Sequence, residues 1–147
     1  VLVNIELKTV RCSSQNLLDI IGELKQVLEN AIQCSGFTLE QFIISSFDHH
    51  LLFICKQHLP TIKTAALIAH RPLDYTEFAK KLNVTGVNPD IDCVHQCLVE
   101  DAHQQSLTVW VYTVDREEDI KHCLAIGVDG IFTNYPAKSR EKLKKLA

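Results

Sequence analysis

Two periodicities alternate along the 147 residues. Short apolar runs, many of them β-branched, are separated by longer stretches in which apolar residues recur every three or four positions, the marks of strands and amphipathic helices respectively. The chain opens on the first kind, VLVNIELK, with polar residues at alternate places. Successive side chains of a strand point to opposite faces. Val1, Val3, Ile5 and Leu7 therefore share one face, and Leu2, Asn4, Glu6 and Lys8 the other. Either a solvated edge strand or a strand whose polar face looks into a reaction site would carry this pattern.

The same reading predicts strands at 2–7, 42–47, 64–69, 86–88, 108–114 and 130–133. Helices are predicted at 15–34, 49–58, 92–105 and 116–126, with a short one after Asp74 and a last one from Pro136. In the first helix Leu17, Ile20, Ile21, Leu24, Val27, Leu28 and Ala31 form one apolar stripe, with Ser13 or Ser14 placed to cap its start and Gly36 to end it. Asp48 is placed to cap the second, and Pro60 stops it. In the stretch 92–105, Val94, Cys97, Leu98 and Ala102 are expected inward. Gly127 closes the 116–126 helix, and Gly130 lets the last strand pack closely.

Strands alternating with helices argue for an α/β fold on a parallel sheet. In such folds chemistry sits where strands hand over to helices. The polar residues of interest fall there: Glu6 to Lys8, Ser45 to His49, His70 and Arg71, Asn88 to Asp90, Thr113 to Arg116, and Thr133 to Pro136.

Composition narrows the partners. Apolar residues make up 46% and charged residues 22%, with a net charge of −3. This is an ordinary globular balance that gives no footprint for nucleic acid. The basic tail SREKLKKLA reads as the exposed face of the final helix. No apolar run approaches the ~18 residues of a membrane span, and the start has neither a charged leader nor a small-residue cleavage site. Met is absent and the chain begins within a strand, so the natural N-terminus is expected to be missing. The six cysteines, Cys12, Cys34, Cys55, Cys93, Cys97 and Cys123, are irregularly spaced. Cys93 and Cys97 are close in sequence, but a zinc site would want a second close pair. Core thiols in a reducing, cytoplasmic compartment are the expectation.

NIELK, SSF followed by Asp48 and His49, VNP, YTVD and GVDGIFTNYP occur in this order with helix-length spacers. The pattern resembles the C-terminal part of a glycerophosphodiester phosphodiesterase, over essentially the whole chain. The resemblance implies a TIM (β/α)8 barrel, roughly 250 residues when complete, of which this chain would be the C-terminal portion of about six strands. It also implies hydrolysis of glycerophosphodiesters to glycerol 3-phosphate and an alcohol with a divalent metal, Mg²⁺ or Ca²⁺. The family's His-Arg-Gly and Glu-x-Asp motifs and its second histidine precede the NIELK strand and are not in this sequence. Glu6 matches the family's third metal-binding carboxylate, Lys8 a lysine near the phosphate, and Phe47 an aromatic lining the site. Tyr112 falls where Trp is usual, Asp115 where Asn is usual, and Asn134 where Asp is common.

Each residue also has a plainer reading. Glu6 and Lys8 make a salt bridge as readily as a metal ligand and a phosphate contact. Phe47 and Tyr112 serve either as a wall for the glycerol or alcohol group or as barrel packing. Trp110 shares the strand face of Tyr112 and is expected deeper. His70-Arg71 resembles the missing motif but is followed by Pro72 and comes in the wrong order. His49 and His50 are expected on a helix wall or surface, and His95, His103 and His122 on helices with no paired carboxylate. The leading expectation is a metal-dependent phosphodiesterase of which this chain is an inactive part. The alternatives are a non-catalytic binding or regulatory protein on the same fold, and a phosphate-handling aldolase or isomerase with Lys8 as Schiff-base lysine. Six strands with two open edges predict pairing with a missing segment or self-association.

Overall fold

Six parallel strands, β1 (Val3–Glu6), β2 (Phe42–Ser46), β3 (Lys63–Ile68), β4 (Gly86–Pro89), β5 (Thr108–Val111) and β6 (Gly130–Ile131), lie side by side in sequence order. They belong to a computed structural model that describes residues 1–8 and 14–146. Between them run α1 (Ser14–Ser35), α2 (His49–His58), α3 (Glu77–Leu82), α4 (Gln96–Gln104) and α5 (Glu117–Ala125), with α6 (Pro136–Leu146) last. Every strand pairs only with its sequence neighbours, so the sheet curls as part of a (β/α) barrel with its helices outside. All the predicted elements are present. The strands are trimmed by one to three residues at one or both ends or shifted by one, except β4, which gains Pro89.

Burial divides the two faces of the sheet. Ile44, Ala66, Val87, Val109 and Val111 point to the helices and are wholly buried. They meet Ile21, Leu24 and Leu28 of α1, Leu51, Leu52 and Cys55 of α2, Leu98 of α4 and Ile120 of α5 in one core. Val3, Ile5 and Leu7 pack against that core as the apolar face of β1. The opposite face, which would line a barrel interior, is buried in the middle of the sheet at Ser45, Leu67 and Asn88. Toward the edges it opens: Asn4 and Trp110 are half-buried and Glu6 is exposed.

The opening pattern of the chain thus has both of its explanations at once. β1 is an edge strand, and its polar face looks inward.

Local chemistry accounts for the boundaries. The Asp48 carboxylate accepts from Leu51 N at 3.1 Å and caps α2 as expected. Gly36 and Gly127 take φ of +69° and +76° just beyond α1 and α5, a conformation that costs other residues a steric penalty. A side chain on Gly130 would place its Cβ 3.1 Å from Trp110 Cδ1, so the small residue lets the indole lie flat over β6. α4 starts four residues later than its periodicity predicts. The Asp90 side chain accepts from Asp92 N at 2.9 Å, and its carbonyl from Cys93 N at 2.9 Å, which holds a turn ahead of the helix. Cys97 consequently faces solvent, and Val99 takes a core place.

Val27, expected in the α1 stripe, is 58% exposed, because the stripe on the long helix is narrower than the periodicity allows. Only Cys55 and Cys123 are core thiols among the described residues. Cys34, in the last turn of α1 and out of phase with Leu24 and Leu28, is exposed, and Cys93 is half-buried. Cys12 and the candidate cap Ser13 lie outside the described residues. No helix among the described residues is long and apolar enough to cross a membrane.

Candidate active site

The carboxyl ends of parallel strands gather side chains from distant parts of the chain, and a cleft of about 200 Å³ opens there. Asn4 and Glu6 of β1, Ser45 of β2, Phe47 just past it, Leu67 of β3, Tyr112 and Thr113 past β5, and Phe132 past β6 line it. Pairing explains the convergence: Glu6 lies beside Ser45 across the β1–β2 ladder, and Asp90 forms a bridge with Tyr112 beyond β4 and β5. Phe47 and Tyr112 meet edge to face with ring centroids 5.8 Å apart.

Three of the four residues singled out by sequence therefore share one cleft. Lys8 does not line it. Its ammonium stands at the rim, 77% exposed and 3.8 Å from the Glu6 carboxylate.

Tyr112 is the most perturbed group. Burial raises its phenol well above the ordinary tyrosine range, and the negative charge of Asp90, and more weakly Cys93 and Glu6, push it further. The hydroxyl is already committed, donating to the Ile68 carbonyl at 2.8 Å. The ring, rather than the phenol oxygen, is what Tyr112 offers a bound molecule. Trp110, one step deeper, packs against Phe132 with centroids 5.9 Å apart.

Asp115 and Asn134, the two departures from the family pattern near the last strands, face each other. The Asp115 carboxylate accepts from Asn134 N (2.8 Å), Asn134 Nδ2 (2.8 Å) and Thr133 Oγ1 (2.9 Å). The Asn134 hydrogen bonds hold its carboxyl below the usual aspartate range. The pair ties the loop after β5 to the loop after β6.

The histidines divide by position. His49 donates to the Leu67 carbonyl at 3.0 Å and stacks on Phe78, a helix-wall role. His50 and His70 are exposed along a second, larger groove that shares Phe47 and Leu67 with the cleft. Arg71 is exposed beside His70 and does not line the cleft.

His95 occupies the position just before α4 rather than lying within it, makes no side-chain capping hydrogen bond, and packs edge-on against Tyr75. Burial first, then Arg71, lowers its affinity for a proton. His103 does have a carboxylate partner: Nε2 lies 3.0 Å from Asp129, which also accepts from Val109 N at 2.8 Å. Asp129 is 26 residues away in sequence, and the pair sits at the amino end of β5, opposite the cleft.

The chemistry of the cleft can be compared with what a divalent cation asks for. Among the described residues no three His, Cys, Asp or Glu side chains converge as a metal site. The cleft does hold hard oxygen donors: the Glu6 carboxylate and Asn4 Oδ1, the latter buried with no hydrogen-bond partner. These are the oxygens Mg²⁺ or Ca²⁺ selects, but such ions take six or more. With only these two in the cleft, most ligands of such an ion would come from outside the described residues. Of the lining residues, Asn4 was legible from strand alternation and Ser45 and Thr113 from their place at strand-to-helix junctions, whereas Leu67 and Phe132 required the register between strands.

Known proteins resemble this chain in sequence and in fold. A glycerophosphodiester phosphodiesterase of Bacillus altitudinis is 32% identical over 152 residues, covering 97% of this chain and 57% of its own. One from Caldanaerobacter subterraneus is 30% identical, covering 92% of this chain and 52% of its own. The chain spans about half the length of these relatives. An Oleispira antarctica phosphodiesterase, solved with the product sn-glycerol-3-phosphate, superposes with a TM-score of 0.82 at 22% identity, over 96% of this chain and 54% of that one. A glycerophosphodiester phosphodiesterase from Parabacteroides distasonis superposes with a TM-score of 0.83 at 20% identity, over 98% of this chain and 58% of that one. The curled parallel sheet is therefore part of a TIM barrel, a little over half the length of these two matched chains. Residues 3–138 match the model of the glycerophosphoryl diester phosphodiesterase family, and with Glu6, Phe47 and Tyr112 on one cleft at the mouth of that barrel, the chain belongs to this family.

Proposed function

We propose that the chain is the C-terminal part of a metal-dependent phosphodiesterase that hydrolyses glycerophosphodiesters to glycerol 3-phosphate and an alcohol. The observation that carries this reading is the convergence of Glu6, Phe47 and Tyr112 on one cleft at the carboxyl ends of the strands. The sn-glycerol-3-phosphate bound to the Oleispira antarctica phosphodiesterase supports this substrate class. When bound, a Mg²⁺ or Ca²⁺ ion withdraws charge from the phosphoryl oxygens.

The residues of this chain hold and orient. Glu6 supplies one carboxylate to the ion. Lys8, on a flexible stem at the rim, supplies a point charge to a phosphate oxygen. Phe47 and Tyr112 form the apolar wall against the glycerol or alcohol carbons. Tyr112 stays protonated and bound to Ile68, so it shapes the cleft and transfers no proton. The remaining carboxylates and the histidines for general acid and base chemistry come from a segment outside the 147 residues. That segment also closes the sheet edges at β1 and β6; self-association of this chain is the other way to cover them. A cytoplasmic location belongs to the same reading, supported by the buried free thiols of Cys55 and Cys123. A Schiff-base lysine works from a desolvated pocket or beside another cation, whereas Lys8 is 77% exposed beside a carboxylate, which favours hydrolysis over aldol chemistry.

The test is release of glycerol 3-phosphate from glycerophosphocholine, and cleavage of bis(p-nitrophenyl) phosphate, by the complete natural protein. Turnover with Mg²⁺ or Ca²⁺ and its loss with a chelator are expected, with no turnover by the 147-residue chain alone. Turnover by the isolated chain would overturn the placement of catalytic groups outside it. A complete protein that binds glycerol 3-phosphate without turnover would replace the hydrolase with a binding protein.

A further inference from the structure

Asn4 stands on the inward face of β1, two residues before Glu6, and lines the same cleft. A side-chain amide carries two donor hydrogens and an acceptor oxygen with two lone pairs. One donor is used: Nδ2 reaches Ser45 Oγ at 3.0 Å, across the β1–β2 ladder. Ser45 is wholly buried, so this hydrogen bond fixes the amide plane. Oδ1 is left buried and without a partner. Buried polar atoms in folded proteins are nearly always satisfied, so the donor to this acceptor comes from outside the described residues, with a bound ligand or on the segment that closes the β1 edge.

The cleft already holds a carboxylate, which excludes an anion or a bare phosphate oxygen as the natural partner of a second acceptor. A cation-bound water has the complementary chemistry, since the ion polarises its O–H bonds and such ions retain several waters. Resting on the reading of Glu6 as a cation ligand, we propose that Asn4 is a positioning residue whose Oδ1 accepts a hydrogen bond from a water in the coordination shell of the cation held by Glu6, with Ser45 locking the amide in that orientation. Partners of this kind, one shell beyond the direct ligands, set metal affinity as well as ligand geometry.

Calorimetric titration of the complete natural protein with Mg²⁺ and with Ca²⁺ tests this without relying on turnover, and thermal melting checks each variant's fold. Asn4→Leu keeps the volume and removes the acceptor; it is expected to weaken cation binding by about 10–100-fold. Asn4→Asp keeps an acceptor oxygen and adds charge, and is expected to bind the cation at least as tightly as the parent. Ser45→Ala frees the amide to rotate and is expected to fall between parent and Asn4→Leu. An unchanged cation affinity in a folded Asn4→Leu would overturn the proposal. If Asn4→Leu instead leaves cation affinity unchanged but weakens glycerol 3-phosphate binding, the amide is a donor to the phosphate and the proposal fails. If the parent binds neither cation, the failure lies with the metal-dependent reading itself.

Discussion

Replacing Glu6 by Gln separates its two roles, because both predict a small change in stability and only the ligand role predicts a large loss of cation binding. As a structural ion pair, Glu6 is worth little. Its carboxylate is 3.8 Å from an ammonium that is 77% exposed. At that separation in a water-like dielectric the attraction is about 1 kcal/mol, and ordering two long side chains leaves roughly 0.2–1 kcal/mol of it. Glu6→Gln and Lys8→Met are therefore each expected to shift urea-unfolding free energies by less than about 1 kcal/mol, and by less in high salt.

As a ligand, Glu6 supplies charge and a direct oxygen to an ion that has few other donors from this half of the barrel. Its loss is expected to reduce Mg²⁺ or Ca²⁺ affinity by more than the roughly 10–100-fold that removal of an indirect partner costs. Urea denaturation and calorimetric titration of the complete protein and both variants give the two readings side by side. A Glu6→Gln variant destabilised by several kcal/mol with cation affinity intact would refute the reasoning and make Glu6 a fold residue.

Other perturbations test the fold around the cleft. A Cβ added at Gly86 would lie 2.5 Å from Thr108 Oγ1 and 3.0 Å from the Thr108 carbonyl oxygen, so Gly86→Ala is expected to cost about 1–3 kcal/mol in urea unfolding. Thr108→Ala in the same chain should recover only part, since the backbone contact remains. Asp115, its carboxyl held low by Asn134, stabilises the folded state fully above the ordinary aspartate pKa. That contribution is lost as pH falls through the lowered value, so Asp115→Asn should flatten the decline in stability below about pH 4. The exposed thiols of Cys34 and Cys97 should react with iodoacetamide at pH 8 in the native protein. Cys55 and Cys123, buried and pushed up to about 11, should be labelled only on unfolding, as read by peptide mass spectrometry.

What the sequence determined by itself is the order and kind of its elements, and one end of its chemistry. Period-two and period-3.6 patterns are local, so six strands and six helices could be read from residues a few places apart. The alternation in VLVNIELK put Asn4 with Glu6 and set Val3, Ile5 and Leu7 against the core. The Asp48 cap and the glycine helix ends were equally local.

In the stretch after β4 the local reading failed because a neighbour in sequence reset the frame. The Asp90 turn delayed α4 and moved Cys97 out of the core and Val99 into it.

Only the tertiary structure decided which junctions share a cleft. Parallel strands in sequence order bring Glu6, Ser45, Leu67, Tyr112 and Phe132 together through inter-strand register, which no spacing along the chain encodes. The same long-range pairing joined His103 to Asp129 and Asp115 to Asn134, left Lys8 at the rim, and turned Asn4 from a polar strand residue into a buried acceptor without a donor. Hydrogen bonds between strands and loops are set by the curl of the sheet, and curl is a property of the whole surface rather than of any segment in it.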